Sequence, residues 1–192
     1  MPPVAVIGIL LAGGSGTRFG SDKLLHPLSD GTPIAVASTR NLKAALGRVL
    51  AVVRPGVPEL ERVLRDEGLE VTVCDRAAEG MGTTLAHAVR ADEPADGWVI
   101  ALADMPFIRP DTIRRVAESI AGGARLAAPE YRGQRGHPVG FAASLRGELE
   151  SSRGDSGARA VVKANQTSLV LIPVDDPGVV RDIDVPADLR GT

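Results

Sequence analysis

The sequence predicts an α/β fold built around a mostly parallel sheet, because strand-like and helix-like segments alternate through residues 4–121. Apolar segments of strand length, rich in β-branched residues, occur at residues 4–11, 48–53, 70–74 and 98–102. Amphipathic segments of helical length follow them at about 33–46, 58–67, 83–91 and 110–121. Strands joined through helices in this way run parallel, with right-handed crossovers.

Cap and breaker residues set the expected helix boundaries. Thr32 is expected to cap the first helix, with Pro33 at its first position and Gly47 as its stop. Gly68 is expected to end the second helix. The third helix is expected to begin at Thr83, after a glycine turn.

The alternation loosens after residue 122. Strands are expected at 125–128 and 168–174, and residues 138–141 are predicted to return as an antiparallel strand. Short helices are expected near 142–149 and 156–164. The stretch V-R-D-I-D-V-P is predicted to lead out of a last strand. Because no interdomain linker is visible, residues 1–192 are predicted to form one domain.

The composition limits the classes of partner. Only 3% of the 192 residues are aromatic and the net charge is −2, which argues against a nucleic-acid partner. The apolar run near residue 4 is too short to span a bilayer, so no membrane partner is expected. The one cysteine, Cys74, cannot form an intrachain disulfide, and this fits a reducing cytoplasm.

A glycine-rich turn follows the first predicted strand, in the stretch L-A-G-G-S-G-T-R-F-G-S-D-K. Such a turn lets backbone N–H groups approach an anion closely. Arg18 and Lys23 add two positive charges to it. The expected ligand is therefore a polyphosphate, although an ordinary strand–turn–helix connection is the alternative. The glycines concerned are Gly13, Gly14, Gly16 and Gly20.

Two common glycine-rich loops do not match this turn. The dinucleotide fingerprint G-x-G-x-x-G would need its third glycine at position 19, which is Phe19. The P-loop needs Gly-Lys followed by Ser or Thr, whereas Lys23 lies between Asp22 and Leu24.

Carboxylates at predicted strand ends are candidate metal ligands. Asp104 follows a buried strand in L-A-D-M-P, where ligands of open α/β sheets bind, and Mg²⁺ prefers oxygen ligands. A turn aspartate before Pro106 is the alternative. Asp182 and Asp184 lie two apart and would share one side of a strand, so that one of them could complete the site.

Three further motifs carry weaker signals. The turn at Gly80, Met81 and Gly82 precedes a helix, whose free N–H groups bind anions or carbonyl oxygens, although a plain helix start explains it equally. The segment Gly136-His137-Pro138 lies in the irregular half of the chain, where a lone histidine is more often structural than catalytic. Asp155 and Arg159 are four apart, as in a capping arrangement.

These motifs, in this order, resemble those of the MobA-like NTP transferases. The glycine loop, E-G-M-G-T-T-L, L-A-D-M-P-F-I, G-H-P-V-G-F, G-D-S-G-A-R and D-I-D-V-P-A-D-L look most like those of molybdenum cofactor cytidylyltransferases. The resemblance implies a Rossmann-like three-layer α/β/α sandwich. It also implies transfer of NMP from an NTP to the phosphate of molybdopterin, with release of pyrophosphate.

The resemblance also implies roles for residues and for the two halves of the chain. Residues 1–121 would mainly bind nucleotide and residues 122–192 the acceptor. Arg18, Lys23 and Asp104 would be catalytic, and Asp104 and Asp184 would hold Mg²⁺. The acceptor would contact Gly136, His137, Pro138 and Asp155. The nucleotide would contact Leu11, Ala12, Gly13, Gly14, Gly16, Arg18, Lys23, Gly80, Met81 and Gly82.

The base and the acceptor stay open at this point. The later motifs favour CTP, but Gly13 matches the guanylyl branch, where the cytidylyl branch usually has alanine. Another phosphorylated small molecule, such as a sugar phosphate, is the alternative acceptor. A non-catalytic nucleotide-binding module is the alternative outside the enzyme class. As a cytoplasmic enzyme the chain could also contact a molybdoenzyme-maturation partner transiently.

Overall fold

A computed structural model of the chain describes residues 6–14, 19, 22–92 and 95–189. These ranges form an α/β fold with a single eight-stranded sheet, which confirms the predicted fold class. The strands are β1 Val6–Ala12, β2 Val49–Val53, β3 Glu70–Val73, β4 Gly97–Leu102, β5 Leu126–Tyr131, β6 Gln134–Arg135, β7 Val139–Ala142 and β8 Leu169–Pro173. The helices are α1 Ile34–Ala45, α2 Pro58–Asp66, α3 Met81–Ala91, α4 Pro110–Ala121, α5 Arg146–Glu150 and α6 Ala158–Ala164.

The sheet has a parallel half and a mixed half. Its strand order is β3-β2-β1-β4-β7-β5-β6, and β8 also pairs with β5. Strands β1 to β4 are parallel, so their carboxyl ends meet at one edge of the sheet. Strand β7 is antiparallel to both β4 and β5, which confirms the predicted antiparallel addition.

Helices cover both faces of the sheet, giving the three-layer arrangement. One buried apolar cluster joins α1, α2 and α4 to one face, and Leu10 of β1 belongs to it. A second cluster joins α3, α5 and α6 to the other face, through Ile9 and Trp98. Alternate residues of β1 thus enter opposite layers, because side chains alternate along a strand. Among the described residues, no helix is both long and apolar enough to cross a membrane.

Two helices begin at residues other than those predicted. The N-cap of α1 is Pro33 and not Thr32, and the N–H of Ile34 donates to the carbonyl of His26 over 3.0 Å. The backbone carbonyl of His26, eight residues earlier, therefore takes the place of the expected threonine cap. Helix α3 begins at Met81, two residues before the predicted Thr83.

The predicted last strand is wrong. Residues 177–180 form a 3-10 turn, residues 181–184 have no regular structure, and residues 186–189 form a second 3-10 turn. The buried Asp176 carboxylate accepts from the N–H groups of Gly178 and Arg109. It also accepts from the hydroxyl of Thr112, so the segment is held on α4 and not in the sheet.

Candidate active site

A cavity of about 650 Å³ opens where the carboxyl ends of β1 to β4 meet. This is the edge at which open α/β sheets bind ligands. Each of the four strands is followed by lining residues, and the start of α3 closes one side. The lining residues include Leu11, Ala12, Gly13, Gly14, Lys23, Arg54, Pro55, Asp75, Ala77, Gly80, Met81, Thr84, Leu102, Asp104 and Asp155.

Lys23 joins the two carboxylates that were predicted to hold a metal. Its Nζ donates to Oδ2 of Asp104 over 2.8 Å and lies 3.5 Å from Oδ1 of Asp184. Its side chain is 11% exposed, against 23% for Asp104 and 48% for Asp184. The carboxylates come from positions 80 residues apart, yet their oxygens converge on one point.

Hydrogen bonds to the backbone carbonyls of Ala103 and Asp104 fix the position of Asp104. The carbonyl of Asp104 accepts from the N–H of Ile183 over 3.0 Å. The buried Ser38 hydroxyl of α1 donates to the carbonyl of Ala103 over 2.8 Å. Because Ile183 is itself fully buried, the segment that carries Asp184 is attached directly to the strand end that carries Asp104.

The charges around the cavity favour the binding of a metal cation in addition to the cationic side chains of the protein. The described lining residues include four aspartates and two cationic residues: Asp22, Asp75, Asp104, Asp155, Lys23 and Arg54. A polyphosphate would add further negative charge. Asp104 and Asp184 offer hard oxygen donors that already converge on one ammonium group, and Mg²⁺ takes only one or two protein carboxylates. No group of three or more potential metal ligands occurs within residues 6–14, 19, 22–92 and 95–189.

The start of α3 is packed closely against residues 153–155. Gly80 has φ +118°, and a Cβ added there would lie 2.6 Å from Oδ1 of Asp155. A Cβ at Gly82 would lie 2.7 Å from the carbonyl oxygen of Arg153. Gly82 therefore has a packing role and is not among the residues lining the cavity, whereas Gly80, Met81 and Asp155 are. Asp155 was predicted to contact the acceptor, yet it lies beside residues predicted to contact the nucleotide.

Gly13 and Gly14 have different surroundings. A Cβ at Gly13 would lie 3.1 Å from Cγ2 of Thr84 and 3.6 Å from Cβ of Ala77, on the wall formed by α3. A Cβ at Gly14 would meet no described atom within 4 Å. Gly13 thus makes room within the wall, whereas no described residue limits the space beside Gly14. The predicted ligand residues Gly16 and Arg18 lie outside the described residues.

His137 lies just before β7, at the sheet edge where β4 ends. Its N–H donates to the carbonyl of Val179 over 2.8 Å, and a Cβ at Gly136 would lie 2.4 Å from the same oxygen. Burial lowers the pKa of His137 to about 4, assisted by the positive charges of Arg135 and Arg159. Its Nδ1 is buried without a hydrogen-bond partner among the described residues. Gly136, His137 and Pro138 do not line the 650 Å³ cavity.

The family description "MobA-like NTP transferase domain" matches residues 8–171. The chain belongs to this family. It is 28% identical to the purine catabolism protein PucB of Bacillus subtilis, over 95% of this chain and 93% of PucB. It is also 28% identical to the molybdenum cofactor guanylyltransferase of Cupriavidus pinatubonensis, over 96% of this chain and 94% of that protein. The crystal structure of Rv0371c from Mycobacterium tuberculosis in complex with manganese superposes with a TM-score of 0.81 at 25% identity, covering 97% and 96% of the two chains.

In this MobA-like domain the structure adds cavity residues that the sequence interpretation missed. Arg54 and Pro55 follow β2, Asp75 follows β3, and Ala77 and Thr84 lie before and within α3. The available signal was positional. A ligand at the carboxyl edge of a parallel sheet touches whatever follows each strand, so the residues after β2 and β3 were candidates from the start.

Proposed function

We propose that the chain transfers CMP from CTP to the terminal phosphate of molybdopterin with release of pyrophosphate, in a reaction that requires Mg²⁺. The observation that carries this proposal is the convergence of Asp104 and Asp184 on Lys23, at a cavity lined by Gly13 and Gly14 of the glycine turn. It is supported by membership of the MobA-like NTP transferase family and by similarity to a protein named molybdenum cofactor guanylyltransferase.

The reaction exchanges one phosphoanhydride bond for another. An oxygen of the acceptor phosphate attacks the α-phosphorus in line, the bond from that phosphorus to the bridging oxygen breaks, and pyrophosphate leaves with the electron pair. The acceptor phosphate is already ionised at neutral pH, so no strong general base is needed. Because both reactants are anions, catalysis depends on positioning them and on offsetting their charge.

Lys23 is the cationic side chain in the described site best placed to meet the charge that develops at the α-phosphate. Its ammonium is largely buried, and a buried charge interacts more strongly than one in water. Arg18, outside the described residues, is proposed to bind the β- and γ-phosphates. The backbone around Leu11, Ala12, Gly13 and Gly14 is proposed to pass along the nucleotide.

Asp104 and Asp184 would hold the divalent metal. When bound, the metal would neutralise phosphate oxygens that the described cavity, with its four aspartates, could not neutralise by itself. The crystal structure of Rv0371c in complex with manganese supports the proposal that a protein of this fold binds a divalent ion. The choice of Mg²⁺ rests on its preference for oxygen ligands and phosphates.

The acceptor is proposed to bind on the β7 side of the cavity, near Gly136, His137 and Pro138, with Asp155 contacting it from beside the start of α3. Their support is positional, since residues 136–138 precede β7 at the edge where β4 ends. The positive charges of Arg135 and Arg159 beside His137 suit an anionic acceptor. We further propose that the enzyme acts in the cytoplasm and passes its product to a molybdoenzyme-maturation partner by transient contact.

CTP is proposed as the preferred nucleotide because several later motifs resemble the cytidylyl branch. Against them stands Gly13, which resembles the guanylyl branch. A single methyl group is worth about 1–3 kcal/mol of discrimination in an apolar pocket, which polar contacts to the base edge can outweigh. Gly13 is therefore proposed to make the preference for CTP incomplete.

The test is a pyrophosphate-release assay with each of the four NTPs, Mg²⁺ and molybdopterin, followed by mass spectrometry of the product. We expect release with CTP first and GTP second, and a molybdopterin product heavier by one CMP. Pyrophosphate release only with a sugar phosphate would show that molybdopterin is not the acceptor. Nucleotide binding without pyrophosphate release for any acceptor would show that the chain is a nucleotide-binding module and not an enzyme. A higher kcat/KM with GTP than with CTP would contradict the proposed preference for CTP.

A further inference from the structure

Asp188 makes two hydrogen bonds to the backbone that carries Asp184. It lies in the 3-10 turn Pro186–Leu189, and its Oδ2 accepts from the N–H of Asp184 over 2.8 Å and of Val185 over 2.9 Å. The arrangement is one half of a capping box, in which a side chain in the first turn reaches back to the N–H groups before it. One carboxylate oxygen thus fixes two consecutive peptide groups.

The chain on the other side of Asp184 is attached to the site by separate contacts. The N–H of Ile183 donates to the carbonyl of Asp104, and the Ile183 side chain is fully buried. The Arg181 guanidinium lies 4.4 Å from the centre of the Phe107 ring and donates to the carbonyl of Asp188 over 3.0 Å. The 3-10 turn is therefore connected to the loop that follows Asp104.

Asp184 itself is the least enclosed member of the charged group. Its side chain is 48% exposed, so the backbone on either side contributes to its orientation. Its backbone lies between two anchors, the Ile183 contact to Asp104 and the Asp188 carboxylate. Removing either anchor would loosen the backbone that sets where the Asp184 carboxylate meets Asp104 and Lys23.

We propose that Asp188 is a positioning residue, which orients Asp184 for the divalent metal without touching the metal or the nucleotide. The inference rests on the proposed metal role of Asp184. Residues that orient metal ligands typically change metal affinity about 10- to 100-fold when they are replaced. In this role Asp188 acts through the hydrogen bonds it accepts, while its charge also interacts with those of Arg181 and Lys23.

Two substitutions of Asp188 separate the loss of the hydrogen-bond acceptor from the loss of the charge. Asp188→Asn keeps an oxygen that accepts from both N–H groups and removes the charge, whereas Asp188→Ala removes the acceptor. We expect Asp188→Ala to weaken Mn²⁺ binding about tenfold or more and Asp188→Asn to change it less than threefold. Mn²⁺ binding is measured by titration calorimetry, with a non-hydrolysable CTP analogue present. Asp66→Ala, which removes an exposed carboxylate paired with Arg62 on α2, is the matched control and should leave the affinity unchanged.

A double-mutant cycle tests whether Asp188 acts through Asp184. If it does, the Asp184→Ala/Asp188→Ala variant binds Mn²⁺ no more weakly than Asp184→Ala alone. Equal losses for Asp188→Asn and Asp188→Ala, or additive losses in the cycle, would overturn the inference by making Asp188 a direct charge contact. Wild-type affinity in Asp188→Ala together with a loss in Asp184→Ala would also overturn it. Wild-type affinity in Asp184→Ala would instead overturn the proposed metal site.

Discussion

Lys23 occupies, in the free protein, the point at which the two proposed metal ligands converge. Its ammonium is 2.8 Å from Asp104 and 3.5 Å from Asp184, so it competes with a divalent ion for the same oxygens. An incoming nucleotide would offer the ammonium phosphate oxygens instead. The first prediction therefore concerns both the metal and the rate.

Lys23→Met should bind Mn²⁺ more tightly than the wild type in the absence of nucleotide, because the competing ammonium is gone. The same variant should lose about a hundredfold in kcat, since one transition-state charge contact is worth ~3 kcal/mol. Calorimetry and a pyrophosphate-release assay measure the two effects. A rise in the KM for NTP with kcat unchanged would show that Lys23 contacts the bound substrate and does not stabilise the transition state.

Asp104→Asn should abolish metal-dependent turnover and leave the fold intact. Asp104 is part-exposed at a strand end, and the backbone contacts of residues 103 and 104 do not use its carboxylate. Circular dichroism checks the fold and pyrophosphate release checks the activity. A folded variant with near-wild-type release would remove Asp104 from the metal site.

Gly13→Ala should sharpen the selection of CTP over GTP. The added methyl would lie 3.1 Å from Cγ2 of Thr84, so the wall must yield by a few tenths of an ångström and the cavity narrows. A purine should lose more than a pyrimidine, by about 1 kcal/mol or fivefold in relative kcat/KM. An increased preference for GTP in the variant would show that Gly13 does not act by limiting space.

At the scale of secondary-structure elements, one buried carboxylate joins the starts of β2 and β4 to the end of α3. The Asp92 side chain is fully buried and accepts from Nε1 of Trp98 over 3.0 Å and from Nη1 of Arg48 over 2.7 Å. Arg48 also pairs with Glu70 of β3, and Arg146 lies over the Trp98 ring. This network lies at the edge of the sheet opposite the cavity.

Asp92→Ala should lower the free energy of unfolding by about 2–3 kcal/mol, because the buried Trp98 N–H loses its acceptor and Arg48 one of its partners. Urea denaturation measures the loss. The surface variant Asp66→Ala should change stability by less than about 0.5 kcal/mol. Since the network is remote from the cavity, the KM for NTP should not change at temperatures where Asp92→Ala is folded. A loss of stability no larger than that of the control would contradict the role given to Asp92.

At the scale of the whole molecule, His137 makes stability depend on pH. Its pKa of about 4 in the folded chain is below the ordinary value of 6.5, so the unfolded chain binds more protons between these values. Stability is then fully present above about pH 6.5 and falls as the pH decreases toward 4. Arginine partners lower the pKa values of carboxylates such as Glu59 and Glu67. These carboxylates reduce the stability further, but only below about pH 4.5. The interval from pH 7 to pH 5 therefore isolates the histidine contribution.

Between pH 7 and pH 5 the wild type should lose about 1–2 kcal/mol more unfolding free energy than His137→Gln. Urea denaturation at each pH measures both proteins. Parallel pH profiles for the two would show that His137 is protonated as readily in the folded chain as in the unfolded one.

The three-layer arrangement was implied by the family resemblance. The sequence patterns by themselves determined the α/β class, the parallel direction of the first four strands and the antiparallel β7. These features depend on local hydrophobic periodicity and on residues that begin or end helices, which are readable within a window of a few turns. The glycine turn and the later motifs were also local, and they were sufficient to indicate the family. The positions of β1 to β4 then placed Asp104 at the ligand-binding edge.

The tertiary structure decided the features that depend on hydrogen-bond partners outside the local helix or strand pattern. Pro33 replaces Thr32 as the cap because His26 supplies the acceptor for Ile34. The stretch around Asp184 is not a strand because its N–H groups bond to Asp104 and Asp188. Hydrogen bonds made outside the sheet override local strand propensity, because a buried peptide group needs a partner and takes the one that packing brings near.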